Sequence, residues 1–217
     1  MKQVVNVQND GIMRIMEVNE ENEECITQSD GEWCLSRVSD ARIENLDNYI
    51  HSPNAGANTT IYVVVAGILW TGAQDVKGIV SISLGGSQNQ LINLAVYLTY
   101  NNGQFLAVAA GNEKRSACSS SPASARGAFT VAASNYTNEL ASFTNFGNCV
   151  DIISPGTKCL LANSTTGGFS HASGTSMATP LVAGVAAILL GKNSSLTPDQ
   201  MTELLINVFM NLLFTVS

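Results

Sequence analysis

The sequence predicts an α/β fold in which a parallel sheet is flanked by helices. Three observations predict it. Several short runs are apolar at every position, as strands covered on both faces are. Between them lie stretches whose apolar residues recur at helical spacing. Gly, Asn and Pro punctuate the joins. Strands that alternate with helices along one chain assemble into a parallel sheet with helices on its faces.

Each element follows in order. Residues 1–30 are acidic, with Glu17, Glu20, Glu21, Glu23, Glu24 and Asp30, and read as solvated loop around one strand-like piece at 4–7. Residues 31–57 read as loop. Residues 60–65 are a β-branched run and read as the first buried strand. Residues 78–84 read as the second, ending at Gly85-Gly86. Leu91, Leu94, Ala95 and Leu98 give 89–100 a helical stripe, stopped by Asn101-Asn102-Gly103. Residues 105–110 read as a third strand ended by Gly111, and 128–132 and 150–153 as two more. Residues 176–190 read as a helix rich in small side chains. Thr197-Pro198-Asp199 places a cap before a proline at the first helical position and opens a last helix. Its apolar surface, Leu204, Leu205, Val208, Phe209, Leu212, Leu213 and Phe214, either packs on the sheet or forms an association-prone patch.

Composition narrows the function. Of 217 residues 45% are hydrophobic and 12% charged, which suits one domain with a large core. A net charge of −7 argues against nucleic-acid binding, which needs a basic face. The longest apolar stretch, 181–190, is too short to span a membrane. The start at Met1 turns polar at once, unlike a signal peptide. Sequons at Asn58, Asn135, Asn163 and Asn193 lean weakly toward secretion. Five cysteines (Cys25, Cys34, Cys118, Cys149, Cys159) leave at least one unpaired if all bonds are internal, and no Cys-x-x-Cys suggests zinc.

Two residues stand where the sheet's carboxyl end and a helix start would build a site. Ser176 lies at the opening of a helix, where free N–H groups and the positive dipole end favour an anion. It reads either as a helix cap or as a nucleophile whose oxyanion meets its own N–H. Asn112 follows a buried strand and reads either as a turn residue or as an amide donor to that oxyanion.

The string Ser173-Gly174-Thr175-Ser176-Met177-Ala178-Thr179-Pro180 resembles the nucleophile segment of subtilisin-like serine proteases. Ala109-Ala110-Gly111-Asn112 resembles their oxyanion-hole segment. Ser83-Leu84-Gly85-Gly86 resembles the cleft wall that pairs with an extended peptide. Ser121-Pro122-Ala123-Ser124, Phe143-Thr144-Asn145-Phe146-Gly147 and Asp151-Ile152-Ile153-Ser154-Pro155-Gly156-Thr157 resemble the proteinase K branch, and the likeness runs from about Gly78 to Gln200. It implies a subtilisin-like fold, peptide-bond hydrolysis through an acyl-serine at Ser176 with Asn112 as oxyanion donor, a cleft wall at Ser83, Leu84 and Gly85, polypeptide substrates and secretion. It implies a disulfide between Cys118 and Cys149, which otherwise read as buried thiols. It implies a structural calcium ion held by Asp151 and the backbone carbonyls of Arg126 and Ala128. Asp151 reads equally as a plain surface carboxylate. Val4 to Arg14 resembles the tail of an inhibitory propeptide, and Trp33-Cys34-Leu35-Ser36-Arg37-Val38-Ser39 resembles the start of the mature enzyme. Residues 1–30 are therefore expected to be a propeptide remnant and 31–217 an incomplete peptidase domain.

The resemblance also shows a gap. In the family Ile-Tyr-Val-Val leads into the catalytic Asp, but Ile61-Tyr62-Val63-Val64 leads into Val65-Ala66-Gly67. No His-Gly-Thr-His string occurs. Val65-Ala66-Gly67-Ile68-Leu69-Trp70 instead resembles the helix that precedes the cleft wall. The fold is thus expected to be truncated in its N-terminal half, through a skipped exon, an imperfect gene model or loss in a pseudoenzyme. A serine hydroxyl needs a base to take its proton. In subtilisin, loss of the histidine alone lowers kcat on the order of 10⁶-fold. His51 and His171 are the two imidazoles present, and neither is expected to serve. The expected activity is negligible, with a non-catalytic peptide-binding module as the alternative.

Overall fold

A computed structural model describes residues 26–29, 33–34, 48–51, 61–62, 67–163 and 167–214. Its centre is a five-stranded parallel sheet of β3 (Ile61–Tyr62), β4 (Ile79–Ile82), β6 (Phe105–Ala109), β8 (Ala128–Ser134) and β9 (Ile152–Pro155), in the order β3-β4-β6-β8-β9. The register runs Ile61↔Ile79, Ile79↔Phe105, Leu106↔Ala128 and Val131↔Ile152. Strands β1 (Ile26–Ser29) and β2 (Asn48–His51) pair antiparallel with each other. So do β5 (Gly86–Ser87) with β7 (Ser120–Ser121), and β10 (Cys159–Ala162) with β11 (Phe169–Ala172). The helices are α1 (Ile68–Gly72), α2 (Gln90–Asn101), α3 (Thr175–Lys192) and α4 (Pro198–Phe214).

Strands β4, β6 and β8 are buried on both faces, so they carry no polar face. Ile79, Phe105, Ala107, Phe129, Val131 and Ala133 point to one side, against Ala178, Val182, Ala183, Ala186 and Ala187 of α3. Val80, Ile82, Leu106 and Val108 point to the other, with Ile68 of α1 and Val96 of α2. This period-2 division inside uniformly apolar runs is what a doubly covered sheet requires. The buried residues of α3 lie in two rows, 175-179-183-187 and 178-182-186-190, and apart from Leu190 they are Ala, Thr or Val, which lets the helix lie close on the strands. α3 is long and apolar enough to cross a membrane, but the sheet takes up its apolar side. Met201 and Leu205 of α4 are fully buried in the same cluster. Each such side chain contributes roughly 1.5–3 kcal/mol.

The sheet, α2, α3 and α4 follow the sequence expectation. Residues 31–57 do not: Asn48–His51 is a strand, and its partner Ile26–Ser29 falls in the stretch read as acidic loop. The pair crosses the expected boundary between residues 30 and 31. The hairpin β10–β11 was also not expected. The expected strand at 4–7 and residues 60 and 63–65 of the expected first sheet strand lie outside the described residues, as do the side chains of 208–214.

Candidate active site

Helix α3 begins at Thr175, and its N-cap is Gly174, which has no side chain to cap the first turn. The cap comes from another element. Asn112, just past the end of β6, turns its carbonyl oxygen to the helix start and accepts from Thr175 N at 2.9 Å and Thr175 Oγ1 at 3.0 Å. Thr175 Oγ1 also accepts from Gly111 N at 3.2 Å. With Oδ1 fixed in this way, Nδ2 of Asn112 faces Gly174; a Cβ on Gly174 would stand 3.4 Å from it. The N–H of Ser176, in the first helical turn, has no partner among the described residues. A hydroxyl, a free backbone N–H and an amide N–H₂ therefore converge at one helix N-terminus.

Ser176 is not a cap. Its hydroxyl donates to the carbonyl of Ser83 at 2.9 Å. In return Ser83 Oγ donates to the carbonyl of Ser176 at 3.0 Å. Pro180 explains the second bond. Proline has no N–H, so the carbonyl four residues earlier, that of Ser176, loses its helical donor. Ser83, the first residue after β4, supplies one.

Leu84 and Gly85 follow as exposed backbone between β4 and β5. They face Ala110 and Asn112 across a cleft of about 110 Å³, which Glu113 and Ser176 also line. The expected nucleophile, oxyanion donor and cleft wall thus meet in one place. His171 does not join them in any hydrogen bond: it is exposed on β11, opposite Leu160. His51 lies on β2, opposite Ile26.

The Cys118–Cys149 disulfide is formed. A second one, Cys34–Cys159, ties residues 125 apart in sequence and was not read from the sequence, which left Cys25, Cys34 and Cys159 open. Asp151 precedes β9. Its Oδ2 accepts from Thr130 N at 2.7 Å, and its own N–H donates to the Thr130 carbonyl. Desolvation raises its pKa from the ordinary carboxylate value, against a smaller lowering by the Thr130 N–H. Arg126 places its guanidinium 5.3 Å from the centre of the Tyr97 ring, and Ala128 opens β8 two residues before Thr130.

Sequence reasoning gave Thr175 and Asn145 no role, although both sit inside quoted motifs. No local signal marks either, since Thr175 stands between Gly174 and Ser176 and Asn145 between Thr144 and Phe146.

A model of the subtilase family, Peptidase S8, matches residues 28–212. The chain belongs to the subtilase family. It is 40% identical over 145 residues to the alkaline serine exoprotease A of Vibrio alginolyticus, covering 66% of this chain and 27% of that protein. It is 39% identical over 154 residues to an extracellular serine proteinase of a Thermus species, covering 70% and 37%. Among solved structures, a cold-adapted subtilisin-like serine proteinase superposes with a TM-score of 0.63 at 39% identity, covering 66% of this chain and 52% of that one. This subtilase therefore spans about a third of the curated relatives it matches and half of the solved enzyme. The partial coverage agrees with an incomplete copy of the fold.

Proposed function

We propose that this subtilase keeps the nucleophile, the oxyanion donors and the peptide cleft of a serine endopeptidase but lacks the base. As it stands it would bind polypeptide with negligible hydrolysis. Ser176 is the nucleophile by position; Asn112 Nδ2 and the Ser176 N–H are the oxyanion donors; Ser83, Leu84 and Gly85 form the wall along which an extended peptide adds as a strand. One observation carries the reading. A hydroxyl has a single proton, and that of Ser176 is engaged by the Ser83 carbonyl at 2.9 Å. A carbonyl oxygen cannot act as general base near neutral pH.

The same reading takes residues 1–30 as a propeptide remnant and the chain as secreted. Two disulfides and an extracellular Thermus relative support secretion. A fluorophosphonate probe tests the catalytic part: no labelling above that of Ser176→Ala is expected. Strong labelling abolished by Ser176→Ala would overturn it.

We further propose that Asp151, with the carbonyls of Arg126 and Ala128, holds a calcium ion. The residues fit a hard cation. Asp151 is exposed to solvent, its Oδ2 has one N–H partner, and its Oδ1 has none among the described residues. No group of three or more His, Cys, Asp or Glu surrounds it among the described residues, so carbonyl oxygens would complete the set. The ion would stabilise the β8–β9 edge and take no part in peptide chemistry.

A further inference from the structure

We propose that Asn145 is a positioning residue: its buried amide holds the turn that presents Asn112 to the cleft. The inference rests on the reading of Asn112 as oxyanion donor. The turn leaves β6 and runs from Ala110 to Arg115. Gly111 and Lys114 adopt left-handed conformations, with φ of 101° and 53°. The backbone N–H and C=O of Asn112 have no partner among the described residues. Its place is therefore set by Thr175 and by its neighbours in the turn.

Three of those neighbours, Ala110, Glu113 and Arg115, are held by one side chain, while the Lys114 N–H donates to the Phe143 carbonyl and the Arg115 carbonyl accepts from Phe146 N. Asn145 is fully buried. Its Nδ2 donates to the Ala110 carbonyl at 2.8 Å and to Glu113 Oε2 at 2.7 Å. Its Oδ1 accepts from Glu113 N at 3.1 Å and Arg115 N at 3.0 Å. Two donors and two acceptor sites are all an asparagine amide has, and all four are used on this turn. The backbone N–H of Asn145 adds a bond to the Gly111 carbonyl at 2.9 Å. Residues 110, 111, 113 and 115, on both sides of Asn112, are thus tied to a single residue of the loop between β8 and β9.

The geometry demands asparagine. A Cβ on Gly111 would stand 2.4 Å from Asn145 Nδ2 and 2.6 Å from Glu113 Oε2, so the amide and its carboxylate partner occupy the space that any side chain at 111 would need. Aspartate has the right shape but would set an anionic oxygen against the Ala110 carbonyl and the Glu113 carboxylate. Leucine would release all four partners and leave the buried Ala110 carbonyl without its donor.

The test is NMR of the uniformly ¹⁵N-labelled full chain, the Asn112 side-chain signals being assigned through Asn112→Ala. In Asn145→Asp the Asn112 side-chain amide signals are expected to shift. The core signals of β6 and β8 should stay put. Adding Glu113→Gln to Asn145→Asp supplies a donor to the new carboxylate and should return the Asn112 signals part of the way. If Asn145→Asp does not fold, Glu113→Ala, an exposed change that strips one of the four bonds, should move the same signals less and in the same direction. Asn112 signals unmoved in a folded Asn145→Asp, or in Glu113→Ala, would overturn the proposal even if melting temperature fell. Absence of peptide binding in the wild type would overturn the functional reading instead and leave this result standing.

Discussion

Ser83 and Ser176 exchange hydrogen bonds crosswise, each hydroxyl donating to the other's backbone carbonyl, at 3.0 and 2.9 Å. The pairing joins the end of a sheet strand to the first turn of the buried helix α3. Half of it exists because of Pro180, which removes the N–H that would otherwise serve the Ser176 carbonyl.

That origin makes a double-mutant cycle informative. Ser83→Ala leaves the Ser176 carbonyl without a donor in a partly buried position, at a cost of about 1–3 kcal/mol. In a Pro180→Ala background the helix regains its own N–H at 180, and Ser83→Ala should cost clearly less. Urea unfolding of the four chains measures the coupling. Equal costs in both backgrounds would show that Ser83 does not stand in for the missing helical donor.

Thr175 offers a second test of the same helix start. Thr175→Val keeps the shape of this buried side chain but removes the hydroxyl that donates to Asn112 Oδ1 and accepts from Gly111 N. The expected loss is about 1–3 kcal/mol in urea unfolding. Any affinity for a cleft peptide should weaken with it, because the Asn112 amide is then free to turn. Unchanged stability would mean that the Thr175 N–H alone fixes Asn112.

The parts legible in sequence were those whose local pattern and tertiary role agree. Asn89 reads as the start of α2, and in the structure its Oδ1 accepts from Leu91 N and Ile92 N. The apolar runs of β4, β6 and β8 read as doubly buried strands because they are. The stripe Leu91, Leu94 and Leu98 gave the right helix for an incomplete reason, since all three are at least 47% exposed and Val96 makes the buried contact. β10–β11 was illegible because Phe169, Ser170 and His171 are exposed, so no alternation with a buried face marks the strand. β1 and β2 pair only with each other, and nothing in an acidic stretch specifies such a partner. At the site, the motif residues Ser176, Asn112 and Ser83 were readable. The connections between them were not, because a bond such as Asn145 to Glu113 depends on loop geometry that no spacing encodes.

The two disulfides differ in the length of chain they close. Cys34–Cys159 spans 125 residues and Cys118–Cys149 spans 31. By loop-closure entropy the longer is worth up to about 5 kcal/mol and the shorter up to about 4 kcal/mol. Replacing Cys34 and Cys159 together by serine should therefore lower stability at least as much as replacing Cys118 and Cys149. Denaturant unfolding under oxidising conditions compares them. A negligible effect of the first pair would show that residues near Cys34 dock without the bridge.

Asp151 separates a calcium ligand from a plain carboxylate through its pH dependence. Desolvation raises its pKa in the fold above the ordinary value of 3.8, so the folded chain binds this proton more tightly than the unfolded one. Its favourable contribution is complete below the unfolded pKa and is lost as pH rises through the folded pKa. At neutral pH without metal, the charged carboxylate thus costs stability. Asp151→Asn should then leave the melting temperature unchanged or raise it, and should flatten its pH dependence on the alkaline side of the unfolded carboxylate's pKa. Calcium reverses the sign for the wild type alone: at a hundredfold its Kd it adds about 2.7 kcal/mol, a shift of several degrees for a chain of this size. Thermal melts of both chains, in chelator and in millimolar calcium, decide the matter. A calcium shift of equal size in Asp151→Asn, or none in the wild type, would remove Asp151 from the ligand set, because only a carboxylate released from its desolvation penalty by a bound cation gives opposite responses in the two conditions.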